Sequence, residues 1–134
     1  MPEDVFVKIK KEKYKTEVTI ANHSLIIDEP EDVGGQDLGP TPTSLLLSSI
    51  GTCKAITMRM YADQKKWPLE EVEIKLSLEV VKSNLQQTTF VRVHIKLIGD
   101  LDDQQRERIL KISEKCPIHK ILSNPIVIET NMIQ

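Results

Sequence analysis

Aromatic residues are scarce in this chain: two Phe, two Tyr and one Trp among 134 residues. That is too few for the platforms on which nucleic-acid bases stack. Charge of one sign is lacking as well. Eighteen Lys and Arg against 20 Asp and Glu leave a formal net charge of −2, so there is no electrostatic case for nucleic acid or an acidic membrane as partner. No apolar run approaches the ~20 residues that a membrane-spanning helix needs. The opening Met1-Pro2-Glu3-Asp4 is acidic, then lysine-rich, and has no apolar segment of the kind that marks a secretory leader. The expected compartment is the cytoplasm, where structural disulfides are uncommon.

Ligand-binding patterns are missing too. There are two cysteines (Cys53, Cys116) and three histidines (His23, His94, His119), at spacings that match no zinc motif. Gly34-Gly35 precedes no strand-to-helix phosphate cradle, and no serine-centred triad is visible. The expectation is a protein without metal or cofactor.

What is present describes a soluble α+β domain. With 40% hydrophobic and 28% charged residues, the chain is long enough for one core, and residues 1–134 read as a single domain. Val5, Val7 and Ile9 alternate with Phe6, Lys8 and Lys10. The alternation resumes at Val18 and Ile20 after a charged turn near Lys11-Glu12-Lys13, and Leu25-Ile26-Ile27 adds a short segment. This predicts a meander of two or three strands over residues 5–28 with one wet face. The acidic, Gly- and Pro-containing stretch 29–40 reads as a loop.

Thr41 and Pro42 then open a long helix as N-cap and first-turn proline. Leu46, Ile50, Cys53, Thr57 and Met60 recur at helical spacing, widened by Leu45, Leu47, Ile56 and Tyr61, which predicts a helix buried on most sides. It should end near Lys65-Lys66, before Trp67-Pro68. Residues 70–81 and 89–98 alternate apolar and polar around a turn at 83–87, the pattern of a long hairpin. Asp100 or Asp102 caps a helix over about 102–115. Cys116-Pro117 starts a short helix through Leu122, and Ile126-Val127-Ile128-Glu129 reads as a closing strand.

The two cysteines occupy different settings. They lie 63 positions apart, so they meet only through the fold, as a redox couple or by accident. A thiolate is the nucleophile, and a reactive cysteine needs a lowered pKa. Locally Cys116 has the better case. It stands at an N-cap with Pro117 next, His119 three residues on, and Lys115 and Lys120 nearby. Its plain alternative is a buried cap. Cys53 lies on the apolar stripe, where free cysteine usually acts as a small hydrophobe. Lys54 and Arg59 are near it in sequence, but neither is assured as its partner.

The segment Gly39-Pro40-Thr41-Pro42-Thr43-Ser44-Leu45 through Gly51-Thr52-Cys53 resembles the loop-to-helix signature of the osmotically inducible protein C and organic hydroperoxide resistance family. That signature is a G-x-x-P-x-x-L opening with the first cysteine at this offset. Cys116-Pro117 resembles the family's second-cysteine motif, and the order of elements matches along essentially the whole chain. The resemblance implies an α+β fold in which antiparallel sheets wrap long central helices in an intertwined homodimer. It also implies a thiol-dependent peroxidase: Cys53 attacks an organic hydroperoxide, Cys116 resolves the sulfenic acid as a disulfide, and a dithiol reductant restores the pair. The alternative is a non-enzymatic or redox-sensing member that binds a small apolar or thiol-reactive ligand.

Two positions depart from the family pattern. Thr43 stands where its peroxidases carry an acidic residue, and no arginine occurs before Arg59, where they carry one in the N-terminal hairpin. The lysines Lys11 and Lys13 occupy the matching turn, and lysine lacks arginine's planar fork. The candidates for cationic support of Cys53 are Lys13 and Arg59.

Overall fold

The computed structural model describes residues 4–133. They form two compact units, the first running through Leu46 and the second beginning at Leu47.

The first unit is built on an antiparallel meander, β1 (Val5–Ile9), β2 (Thr16–Ile20) and β3 (His23–Ile27). Val7 pairs with Val18, and Val18 with Leu25. Three strands form, the upper end of the expected two or three, and His23 opens β3. In β2 only Val18 is buried, while β1 is exposed along its whole length. The expectation of one dry face therefore holds for β2 and not for β1.

The loop that follows is organised by Asp28, which is 2% exposed. Its Oδ1 accepts from the backbone N–H groups of Tyr14 (3.1 Å) and Glu29 (2.7 Å). Its Oδ2 accepts from those of Gln36 (3.3 Å) and Leu38 (3.2 Å). One buried carboxylate thus satisfies donors from both ends of the loop.

Helix α1 (Pro42–Lys65) starts as predicted. Thr41 Oγ1 accepts from the Ser44 N–H at 3.1 Å, and Pro42 is the first helical residue. Its end is a Schellman motif. Lys66 takes a left-handed φ of 60°, its N–H bonds the Asp63 carbonyl, and the Trp67 N–H reaches back to that of Ala62. The buried side of α1 is not the expected one. It consists of Ile50, Gly51, Lys54, Met58 and Ala62, whereas Leu46, Ile56 and Met60 are exposed. A helix with such an exposed face is not buried on most sides within one chain.

The second unit contains most of α1, the hairpin β4 (Leu69–Lys82) and β5 (Gln87–Gly99), and the helices α2 (Asp103–Ser113) and α3 (Pro117–Leu122). Ile74 pairs with Ile95 and Leu76 with Val93, so apolar side chains share one face, while Glu73, Lys75 and Ser77 point outward. Gly51 lets α1 approach this face: a Cβ there would lie 2.7 Å from Leu76 Cδ1. Asp102 caps α2 in a reciprocal box with Gln105. The Arg106 guanidinium ties the β5–α2 junction by donating to the carbonyls of Leu97, Gly99 and Leu101. Met58, Ala62, Leu69, Leu101 and Ile109 form the core cluster.

The predicted closing strand does not form. Residues 126–129 belong to no ladder, and Ile126, Val127 and Ile128 are exposed at 54, 83 and 83%. Their apolar, β-branched composition is right for a strand, but no edge in the described chain takes them.

Candidate active site

The site lies in the second unit, where α1 meets α3. Cys53 is carried by α1 and Cys116 is the N-cap residue of α3. The fold brings the two to 3.5 Å. Both are free thiols; Cys53 is partly buried and Cys116 fully so. The tight turn from α2 to α3 makes this possible. Backbone bonds from Glu114 to Lys111 and from Lys115 to Ile112 close α2, and Pro117 then fixes the first residue of α3.

Both sulfurs receive backbone donors from α3. The His119 N–H donates to Cys116 Sγ at 3.3 Å, and the Ile118 N–H donates toward Cys53. Burial raises the Cys53 pKa above the ordinary thiol value, and the neighbouring Cys116 pushes the same way. The Ile118 N–H and the charge of Lys54 oppose this, without cancelling it.

Lys54, not assured a part from sequence alone, is buried beside this site. Its side chain is 4% exposed. Its Nζ donates to the Ser113 carbonyl at 3.1 Å and lies 2.9 Å from His119 Nδ1. The His119 ring therefore faces Lys54, and only its backbone N–H serves Cys116. The signal was present in the sequence: Ile50, Met58 and Ala62 lie on one i, i+4 row, and Lys54 interrupts it. A lysine inside an apolar row is either misplaced or buried for a reason.

The two cations named from sequence stand differently. Arg59 Nη2 bonds Asp63 Oδ1 at 2.6 Å and its Nη1 donates to the Leu69 carbonyl, so its guanidinium ties α1 to the start of β4. Lys13 is exposed on the β1–β2 connection of the first unit. Neither figures among the groups that shift Cys53.

A cavity of about 380 Å³ adjoins Lys54 and His119. Ile50, Val91, Val93, Ile95 and Leu110 supply an apolar wall, and Ser113 and Glu114 add polar groups. Neither sulfur lines it. Among the described residues no three His, Cys, Asp or Glu side chains gather as a metal site, and no helix is long and apolar enough to cross a membrane.

An α+β chain with two free thiols in contact, delivered by a long helix and by the cap of a short one, defines a class of cysteine-pair proteins. Residues 34–131 match the family model for OsmC-like protein, and the chain belongs to that family. Among solved structures it is similar to an OsmC-like protein from Mycoplasma pneumoniae, with a TM-score of 0.75 and 16% identity over 92% of this chain and 88% of the other. It is also similar to an organic hydroperoxide resistance protein OsmC from Legionella pneumophila (TM-score 0.66, 19% identity, 90% and 88% covered). A third is an organic hydroperoxide resistance protein from Elizabethkingia anophelis (TM-score 0.67, 15% identity, 90% and 86% covered). The comparison with curated proteins gives no match.

Proposed function

We propose that this protein is a thiol-dependent peroxidase that reduces organic hydroperoxides in the cytoplasm, working as a homodimer. The observation that carries this reading is the contact of Cys53 and Cys116 at 3.5 Å as free thiols. The more accessible of the two is Cys53, which suits it to meet substrate, while the fully buried Cys116 suits an internal partner.

The chemistry runs in three steps. The Cys53 thiolate attacks the hydroperoxide, an S–O bond forms as the O–O bond breaks, and the leaving alkoxide takes a proton to become an alcohol. The Cys116 thiol then attacks the Cys53 sulfenic acid, giving a disulfide and water. A dithiol reductant restores both thiols through a mixed disulfide. Backbone N–H groups of α3 reach both sulfurs, His119 to Cys116 and Ile118 toward Cys53, and the sulfurs lie close enough to support the second step.

Burial and Cys116 hold the Cys53 thiol above its ordinary pKa, so the thiolate is a minor form near neutrality and the rate of the first step should climb as pH rises. The test uses the reduced protein with cumene hydroperoxide, following free thiols and intact mass. A Cys53–Cys116 disulfide that Cys53→Ser abolishes supports the reading; untouched thiols in excess peroxide sink it.

The cavity favours a second reading, a member that binds a small apolar ligand without turnover. Its apolar wall excludes both sulfurs. Under that reading an apolar ligand raises the melting temperature equally in the parent and in Cys53→Ser, and no peroxide is consumed.

A further inference from the structure

The cavity beside α1 has two unlike parts. Ile50, Val91, Val93, Ile95 and Leu110 make most of its wall apolar, and Lys54, Ser113 and His119 also line it. These last three are in direct contact. Lys54 Nζ donates to the Ser113 carbonyl at 3.1 Å and lies 2.9 Å from His119 Nδ1, so the ammonium head sits between two residues of the cavity wall. An ammonium has three donors and no acceptor. His119 Nδ1 is therefore the acceptor in this contact, and the ring proton is on Nε2. The two contacts engage two of the three lysine donors. The Nε2–H of His119 has no hydrogen-bond partner among the described residues.

Both partners of Lys54 are neutral, although its side chain is only 4% exposed. Among the described residues no carboxylate forms an ion pair with it. A buried ammonium without a counter-charge is costly. Glu114 is the other charged residue on the cavity wall, and it is exposed. Water and salt screen an exposed charge more than a buried one, so an anion entering the cavity meets mainly the field of the lysine.

We propose that this cavity binds a carboxylate carried on an apolar chain, with the carboxylate on Lys54 and His119 and the chain against β5. The inference rests on the apolar-ligand reading of the cavity and gives that ligand a charged end. It requires nothing of the two cysteines, neither of which lines the cavity. A carboxylate is an acceptor with two oxygens, which suits it to the third lysine donor and to the Nε2–H of His119 together. The volume of about 380 Å³ lies within the roughly 300–1,000 Å³ of small-molecule sites. A neutral chain of equal length buries the same apolar surface but leaves the ammonium without a counter-charge. An amine on that chain sets a second cation beside the first.

Isothermal titration calorimetry on the reduced, full-length protein compares decanoate, decanol and decylamine. The expected order is decanoate tightest, decanol weaker by about tenfold and decylamine weakest, with one decanoate per chain. Lys54→Met keeps the stem and removes the charge. It should bring the affinity for decanoate down to that for decanol and leave decanol unchanged. Val93→Phe narrows the cavity from β5 and should weaken decanoate and decanol alike, which keeps the test decisive should Lys54→Met fail to fold. Equal affinities for decanoate and decanol in the parent overturn the proposal and leave the apolar-ligand reading standing. Binding of neither overturns both. A preference for decanoate that survives Lys54→Met, or decanoate binding untouched by Val93→Phe, puts the ligand elsewhere and overturns the proposal too.

Discussion

Asp28 shows how much one side chain can organise. Burial would raise its carboxyl pKa, but four backbone N–H donors prefer the charged form, and the net effect lies below the usual carboxylate value. A carboxyl depressed in the folded state contributes stability above its unfolded pKa and loses it as pH falls through the folded value. Asp28→Asn keeps the shape but leaves only one accepting oxygen. Urea denaturation should show the variant less stable at neutral pH, with a weaker loss of stability on acidification than the parent. Equal acid sensitivity in the two proteins would contradict this. Residue by residue, the sequence announced the cysteines and the caps Thr41 and Cys116, and narrowed the α2 cap to Asp100 or Asp102, because those depend on near neighbours. It concealed Asp28, and for Lys54 it offered only the break in an apolar row, since a charged residue is read as exposed until tertiary structure supplies its partners.

At the scale of elements the same division holds. The hairpin was legible because its alternation is strict over both strands, and α1 because Thr41-Pro42 begins it and Trp67-Pro68 follows its end. The buried face of α1 was misjudged. The leucines near its start and Ile56 and Met60 draw the apolar stripe one way, whereas packing in the second unit selects the row Ile50, Lys54, Met58 and Ala62. Helix α2 offers a direct measure of that packing. Ile109 is completely buried in the core cluster, while the adjacent Leu110 is 49% exposed. Ile109→Ala should cost about 2–5 kcal/mol, and Leu110→Ala clearly less, in chemical denaturation. Equal costs would mean that Leu110 is covered in solution.

For the whole molecule, local pattern predicted more order than one chain provides. The segment around Ile126 pairs with no strand among the described residues, β1 exposes Val5, Phe6, Val7 and Ile9, and α1 exposes Ile56 and Met60. Apolar surface of this extent is unusual on a monomer, and the proposed homodimer would cover it. Sedimentation equilibrium should therefore report a dimer at micromolar concentration; a monomer across the range would contradict the homodimer. Signals for pairing between chains are not readable from a single sequence, because a strand that pairs with its own chain and one that pairs with another chain look alike. The central claim concerns the two cysteines, and intact-mass analysis of the reduced protein after cumene hydroperoxide tests it most directly. The account predicts the loss of two hydrogens per chain, mapped by peptide analysis to a Cys53–Cys116 bond and reversed by a dithiol. Unchanged mass, or oxygen added at Cys53 with Cys116 still free, would contradict it.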